Sequence, residues 1–191
     1  RWSQLFDYLR EGVWHIWIGF DHILFLLSLL LPAVLAGNAS GHPFSQPAER
    51  VVPVFWDVFR IVTAFTVAHS ITLSLAALAV ISLPSRLVES AIALSVVLAA
   101  LNNLYPLVSR ARWMVAFGFG LVHGFGFASV LADLGLPQGS LALALVGFNL
   151  GVECGQLAIV TLFLPLAYAL RRTWLYRRLV FAGGSAAIAL L

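Results

Sequence analysis

The chain has 191 residues, of which 61% are hydrophobic and 10% charged, and its mean hydropathy is +0.97. A soluble domain is usually about half apolar and a quarter charged, so this composition excludes one and predicts a single helical membrane domain over 1–191. The net charge of +3 rests on 11 basic residues, all arginine, placed at helix ends rather than in a stripe, which argues against a nucleic-acid partner.

A helix needs roughly 20 apolar residues to cross the hydrocarbon core. Six such helices are expected, making an all-α polytopic integral membrane protein with its spans in one bundle. They run over about 13–36, 54–83, 86–107, 112–134, 140–170 and 175–191. The first opens with HIWIGFDHILFL, in which His15 and His22 are seven apart and share a helical face, with Gly19 between them leaving room. Asp21 points about 100° away from His22. A proline-rich loop, GNASGHPFSQPAERVVP, follows and carries His42. It reads as a solvated connection.

The second helix carries Thr63, Thr66, His69, Ser70 and Thr72. The third starts after LPSR, with Glu89 near its outer end beside Arg86, and has Asn102 and Asn103 near its inner end as helix glue or a port. The fourth places His123 within GFGLVHGFGFA, whose glycines suit close packing, and ends near Asp133. The fifth carries Asn149, Glu153 and Gln156 on one stripe, with Gly147, Gly151 and Gly155 on roughly the opposite face. A small-residue stripe lets another helix pack closely. Cys154 is alone, which excludes an internal disulfide and a cysteine-based zinc site, and its apolar run predicts a small buried residue. The sixth helix is the weakest, because Arg177 and Arg178 leave only 13 residues beyond them.

If the spans alternate, Arg50, Arg60, Arg110, Arg112, Arg171, Arg172, Arg177 and Arg178 share one side, against Arg1, Arg10 and Arg86 on the other. The positive-inside rule makes the first side cytoplasmic, so the N-terminus faces outward.

Ionisable groups at bilayer depth are expensive and mark function. His22, His69, His123 and Glu153 fall at similar depths on four helices and are expected to converge with Asp21. His15 lies nearer the outer surface, as a receiving ligand or as an interfacial residue beside Trp14 and Trp17. Asn149, Gln156, Ser70, Thr66 and Glu89 are the supporting polar groups. Imidazole and carboxylate without thiolate suit nickel, cobalt, zinc or ferrous iron, and a carboxylate can instead hold a histidine tautomer.

HIWIGFDHILFLLSLLLP, TAFTVAHSITLSLA, the VES that opens the third helix, LVHGFGFA and FNLGVECGQ resemble the HupE/UreJ-like membrane proteins, and the second branch of that family most. The resemblance runs from about residue 12 to 170. It implies a nickel/cobalt permease or accessory protein of the bacterial inner membrane, supplying metal to hydrogenase or urease. Carried over, the family's first-helix His and Asp-His motif falls on His15, Asp21 and His22. The branch often has an extracytoplasmic segment ahead of its membrane part, upstream of residue 1 here, in agreement with an outward N-terminus. Classical nickel permeases space their motif His-x4-Asp-His. The gap here is five, so the match is not to those permeases and the metal stays open among nickel, cobalt and zinc.

Two functions follow. The preferred one is a divalent transition-metal transporter, with the bilayer and the metal ion as its partners. The alternative is a membrane-embedded zinc hydrolase acting on a lipid or membrane peptide, with Glu153 as general base, though no HExxH motif supports it. A blander third reading is an anchor or assembly subunit with its histidines as helix glue.

Overall fold

The computed structural model describes residues 2–36, 44–126 and 138–191, with side chains from 141 in the last stretch. His42 and Asp133 lie outside the described residues. The chain forms α1 (Trp2–Ile18), α2 (Phe20–Leu30), α3 (Val51–Ala77), α4 (Ser85–Leu104), α5 (Arg112–His123), α6 (Gln138–Leu170), a π-helical turn α7 (Tyr176–Gly183) and α8 (Gly184–Leu190). Two-residue strands, β1 (Leu35–Ala36) just before the proline-rich loop and β2 (Gln46–Pro47) within it, pair antiparallel, with Leu35 opposite Pro47.

Among the described residues, three helices are long and apolar enough to cross a membrane: α3, α4 and the stretch Leu141–Leu170 of α6. The count rises to four if α1 and α2 are taken together as one bent span. The first expected helix, 13–36, is therefore corrected. It begins earlier, at Trp2, and breaks at Gly19, where the chain turns by 72°. Gly19 leaves the helical region with φ −75° and ψ 97° and precedes α2 without a capping side chain. An added Cβ there would lie 2.8 Å from the His15 carbonyl and 2.8 Å from His22 Nδ1, so the bend accepts no larger residue without a shift. The expected fourth span is described as helix only to His123, and the expected sixth divides into α7, which carries Arg177 and Arg178, and α8, which follows at Gly184.

Close glycine contacts set the helix pairing. α1 lies along α6. A Cβ on Gly12 would fall 2.1 Å from the Phe148 carbonyl, and one on Gly151 2.1 Å from the Leu9 carbonyl. The expected small-residue stripe of α6 is thus where α1 seats. α3 lies along α5, with Gly120 against Phe65 and Gly124 against His69 and Thr72. Apolar cores fill the remainder. Leu30, Val34, Val58, Val62, Val160, Leu164 and Tyr176 form one, and Phe25, Ile61, Phe65, Val96, Ala100 and Ala116 another.

Several polar residues serve this packing. Asn103 donates to the Ser28 carbonyl at 2.8 Å and to Ser185 Oγ at 3.1 Å, tying α4 to α2 and α8. Asn102 closes the end of α4 by accepting from the backbone of Leu107 and Val108. Asn103 thus acts as glue between helices, whereas Asn102 closes its own helix, and both line a cavity of about 370 Å³ with Leu29, Tyr105 and Arg112. Cys154 is exposed rather than buried. Its neighbours Glu153 and Gly155 turn toward α3 and α1, and that leaves position 154 facing outward.

Candidate metal centre

The bend at Gly19 positions the first two histidines. In a straight helix seven residues rise by about 10 Å. Here the His15 and His22 rings meet edge to face with centroids 4.6 Å apart. α3 supplies His69, whose centroid is 6.3 Å from each of those rings. The last residue of α5 supplies His123, 5.2 Å from His22. Phe25, Phe65 and Phe148 wall the cluster, and His22, His69 and His123 are buried.

Two donor sets result, sharing His22. One nitrogen each from His15, His22 and His69 can be chosen so that all lie within 4.8 Å of one another. The same holds for Asp21, His22 and His123. Asp21 stands in the first turn of α2, where the helix N-terminus favours a negative charge.

Hydrogen bonds then fix which nitrogen of each imidazole is presented. Asn149 Nδ2 donates to the Leu145 carbonyl at 2.8 Å, which turns its Oδ1 toward His69 Nδ1 at 3.2 Å. An amide oxygen only accepts, so His69 carries its proton on Nδ1. Ser95 Oγ donates to the Ile92 carbonyl at 2.6 Å and lies 2.8 Å from His123 Nε2. With its single proton so used, the hydroxyl accepts from Nε2. The Asp21 carboxylate accepts from His22 Nδ1 at 3.1 Å. Each of the three imidazoles thus has one nitrogen as a donor to a fixed acceptor. The other nitrogens, Nε2 of His22, Nε2 of His69 and Nδ1 of His123, are buried with no hydrogen-bond partner among the described residues. Buried polar atoms are nearly always paired, and exceptions call for an explanation. An outer acceptor holding the tautomer while the second nitrogen is bare is the arrangement of metal-binding histidines.

The other expected site residues lie elsewhere. Glu153 is in neither donor set, and its carboxylate accepts from Thr63 Oγ1 at 2.9 Å. Thr66 donates to Gln156 Oε1 at 3.1 Å. Together with Asn149 on His69, the whole expected stripe of α6 is joined to α3. Ser70 donates to the Thr66 carbonyl of its own helix at 2.6 Å. Glu89 is exposed on α4 beside a cavity lined by Ser82, Ser85 and Phe125, with no ion pair to Arg86. Sequence reasoning passed over Ser95. Its signal was a hydroxyl on the face of α4 that also carries Ile92, Val88 and Ala99, all buried.

A family model described as HupE / UreJ protein matches residues 1–191. The chain belongs to the HupE / UreJ family. Comparison with curated proteins and with solved structures finds no match. The family and the apolar helices make this an integral membrane protein. Its candidate donor cluster forms where the segment HIWIGFDH breaks its helix at Gly19.

Proposed function

We propose that this protein moves a divalent transition metal of the nickel or cobalt type across the bacterial inner membrane, with its N-terminus outside. The family's association with nickel and cobalt handling supports this reading. The observation that carries it is the set of three buried imidazoles, each tied at one nitrogen and bare at the other, around the break in the first apolar segment.

In this reading the metal is cargo. His15, His22 and His69 form one station and Asp21, His22 and His123 the next. His22 belongs to both, so an ion can exchange ligands without being fully released. The Asp21 charge lowers the cost of holding a dication in a low-dielectric region. Imidazole and carboxylate are borderline-to-hard ligands that suit these metals, and each station offers three protein donors. A broken helix at the substrate site is a recurring transporter device, because freed backbone groups at depth are tolerated where they line a cavity. The hydrolase alternative needs Glu153 against a metal-bound water. With that carboxylate held by Thr63, no geometric argument favours it.

Nickel and cobalt accumulation in cells expressing the chain, compared with His22→Ala at equal membrane abundance, tests the proposal. Accumulation lost in the variant supports it. Equal accumulation rejects it.

A further inference from the structure

The apolar stretch Leu141–Leu170 leaves α6 directly into RRTWLYRR, which puts these residues at the boundary between hydrocarbon and headgroups. Arg171 is used internally. Its Nε donates to the Ala48 carbonyl at 2.7 Å, and its guanidinium lies over the Tyr168 ring at 3.5 Å. The other three arginines face a common space. Arg172, Arg177 and Arg178 line a cavity of about 590 Å³ with Leu35, Phe44 and Phe181 as its apolar wall, and Trp174 also lines it.

Among the described residues no carboxylate is within ion-pair distance of any of these three arginines. Arg177 donates one nitrogen to the Ser45 carbonyl at 2.7 Å, whereas Arg172 and Arg178 have no side-chain hydrogen bond among the described residues. Three like charges around one cavity repel unless an anion or water screens them. The frame that holds them is fixed. Tyr176 is buried, and its hydroxyl donates to the Leu31 carbonyl at 2.9 Å. Trp174 is 68% exposed, as suits an interfacial anchor.

We propose that this cavity binds the headgroup phosphate of an anionic phospholipid. The guanidinium forks take the phosphate oxygens, and the glycerol and upper acyl carbons lie on Leu35, Phe44 and Phe181. Three features select a lipid over a free anion: the depth at the end of a span, the half-apolar wall and the exposed indole. Basic pockets of this kind on the cytoplasmic side bind anionic headgroups. None of the lining residues belongs to the donor cluster, so the lipid site stands apart from metal handling.

The test is native mass spectrometry of the full chain released from nanodiscs of equal phosphatidylglycerol and phosphatidylcholine. Wild type should retain phosphatidylglycerol in preference, and equal retention of the two lipids overturns the proposal. Arg172→Gln/Arg178→Gln, which spares the Arg177–Ser45 bond, should lower phosphatidylglycerol occupancy by roughly tenfold or more. Unchanged occupancy overturns the proposal. Arg10→Gln/Arg86→Gln removes the same charge elsewhere and should leave occupancy as in wild type, and an equal loss there would mean that only net charge is being read. Millimolar inorganic phosphate should not displace the lipid. Displacement would assign the cavity to free phosphate instead.

Discussion

The imidazole rings of His15 and His22 lie 4.6 Å apart at 66° to each other, although seven residues and a full helical break separate them. The bend at Gly19 brings them together, and their convergence creates the donor set with His69. Backbone geometry at one glycine therefore governs the chemistry of the cluster.

Gly19→Ala tests that link. The new methyl would meet the His15 carbonyl and His22 Nδ1, each at 2.8 Å, so the bend must shift. Overpacking of this kind costs about 1–3 kcal/mol. The expected outcome is a lowered Tm together with cobalt affinity reduced roughly tenfold or more, read by thermal unfolding and equilibrium dialysis on the same preparation. Wild-type affinity in the alanine variant would show that the bend does not position the ligands.

Ser95→Ala removes the acceptor that holds His123 Nε2–H. The ring can then rotate or change tautomer. Loss of such an outer partner typically weakens metal affinity by about 10–100-fold, while stability falls by only about 1 kcal/mol. Ser95→Thr keeps the hydroxyl and should recover most of the affinity. Calorimetric titration with nickel separates the two variants, and equal affinities in them would remove Ser95 from the account.

Glu153→Gln should leave metal affinity within about twofold, since the residue stands outside both donor sets and Thr63 can donate to an amide oxygen as it does to a carboxylate. A large loss on this substitution would bring Glu153 into the site and reopen the convergence expected from its depth on the helix.

Gly151→Val tests the seating of α1 on α6. A Cβ at position 151 would lie 2.1 Å from the Leu9 carbonyl and 3.0 Å from Gly12 Cα, and neither backbone atom can rotate away. The helices must separate, at a cost of about 3 kcal/mol or more. The expected result is a marked drop in Tm and in the monodisperse fraction on size exclusion. An unchanged elution profile and Tm would contradict the packing.

The residues most legible in the sequence were those whose signal is periodic. Asn149, Glu153 and Gln156 share a stripe, and all three face α3. Gly147, Gly151 and Gly155 repeat every fourth position, and all three face α1. Periodicity reports a face, but not which group on the neighbouring helix it meets. Glu153 was therefore expected beside the histidines, whereas its partner is Thr63. Reading 13–36 as one straight helix kept His15 and His22 on a shared face but far apart. A lone glycine in an apolar run costs only about 1 kcal/mol in a helix, too weak a signal to place a break. Ser95 was illegible for a related reason. A serine in a membrane helix commonly bonds its own backbone, as Ser95 does to Ile92, and only the fold adds His123 to it. Arg177 and Arg178 mark the last helix as short in the sequence, but they lie within α7, and the packing of Ser185 against Asn103 is not legible there.

The most direct measurement is equilibrium binding of cobalt to the purified full chain, with its visible absorption recorded, for wild type, His22→Ala and Glu153→Gln. His22 is the one residue common to both donor sets. Wild type and Glu153→Gln should give a saturable cobalt spectrum with nitrogen and oxygen ligation, and His22→Ala should lose it, with affinity lower by about 100-fold. The same spectrum and affinity in His22→Ala would contradict the shared metal centre.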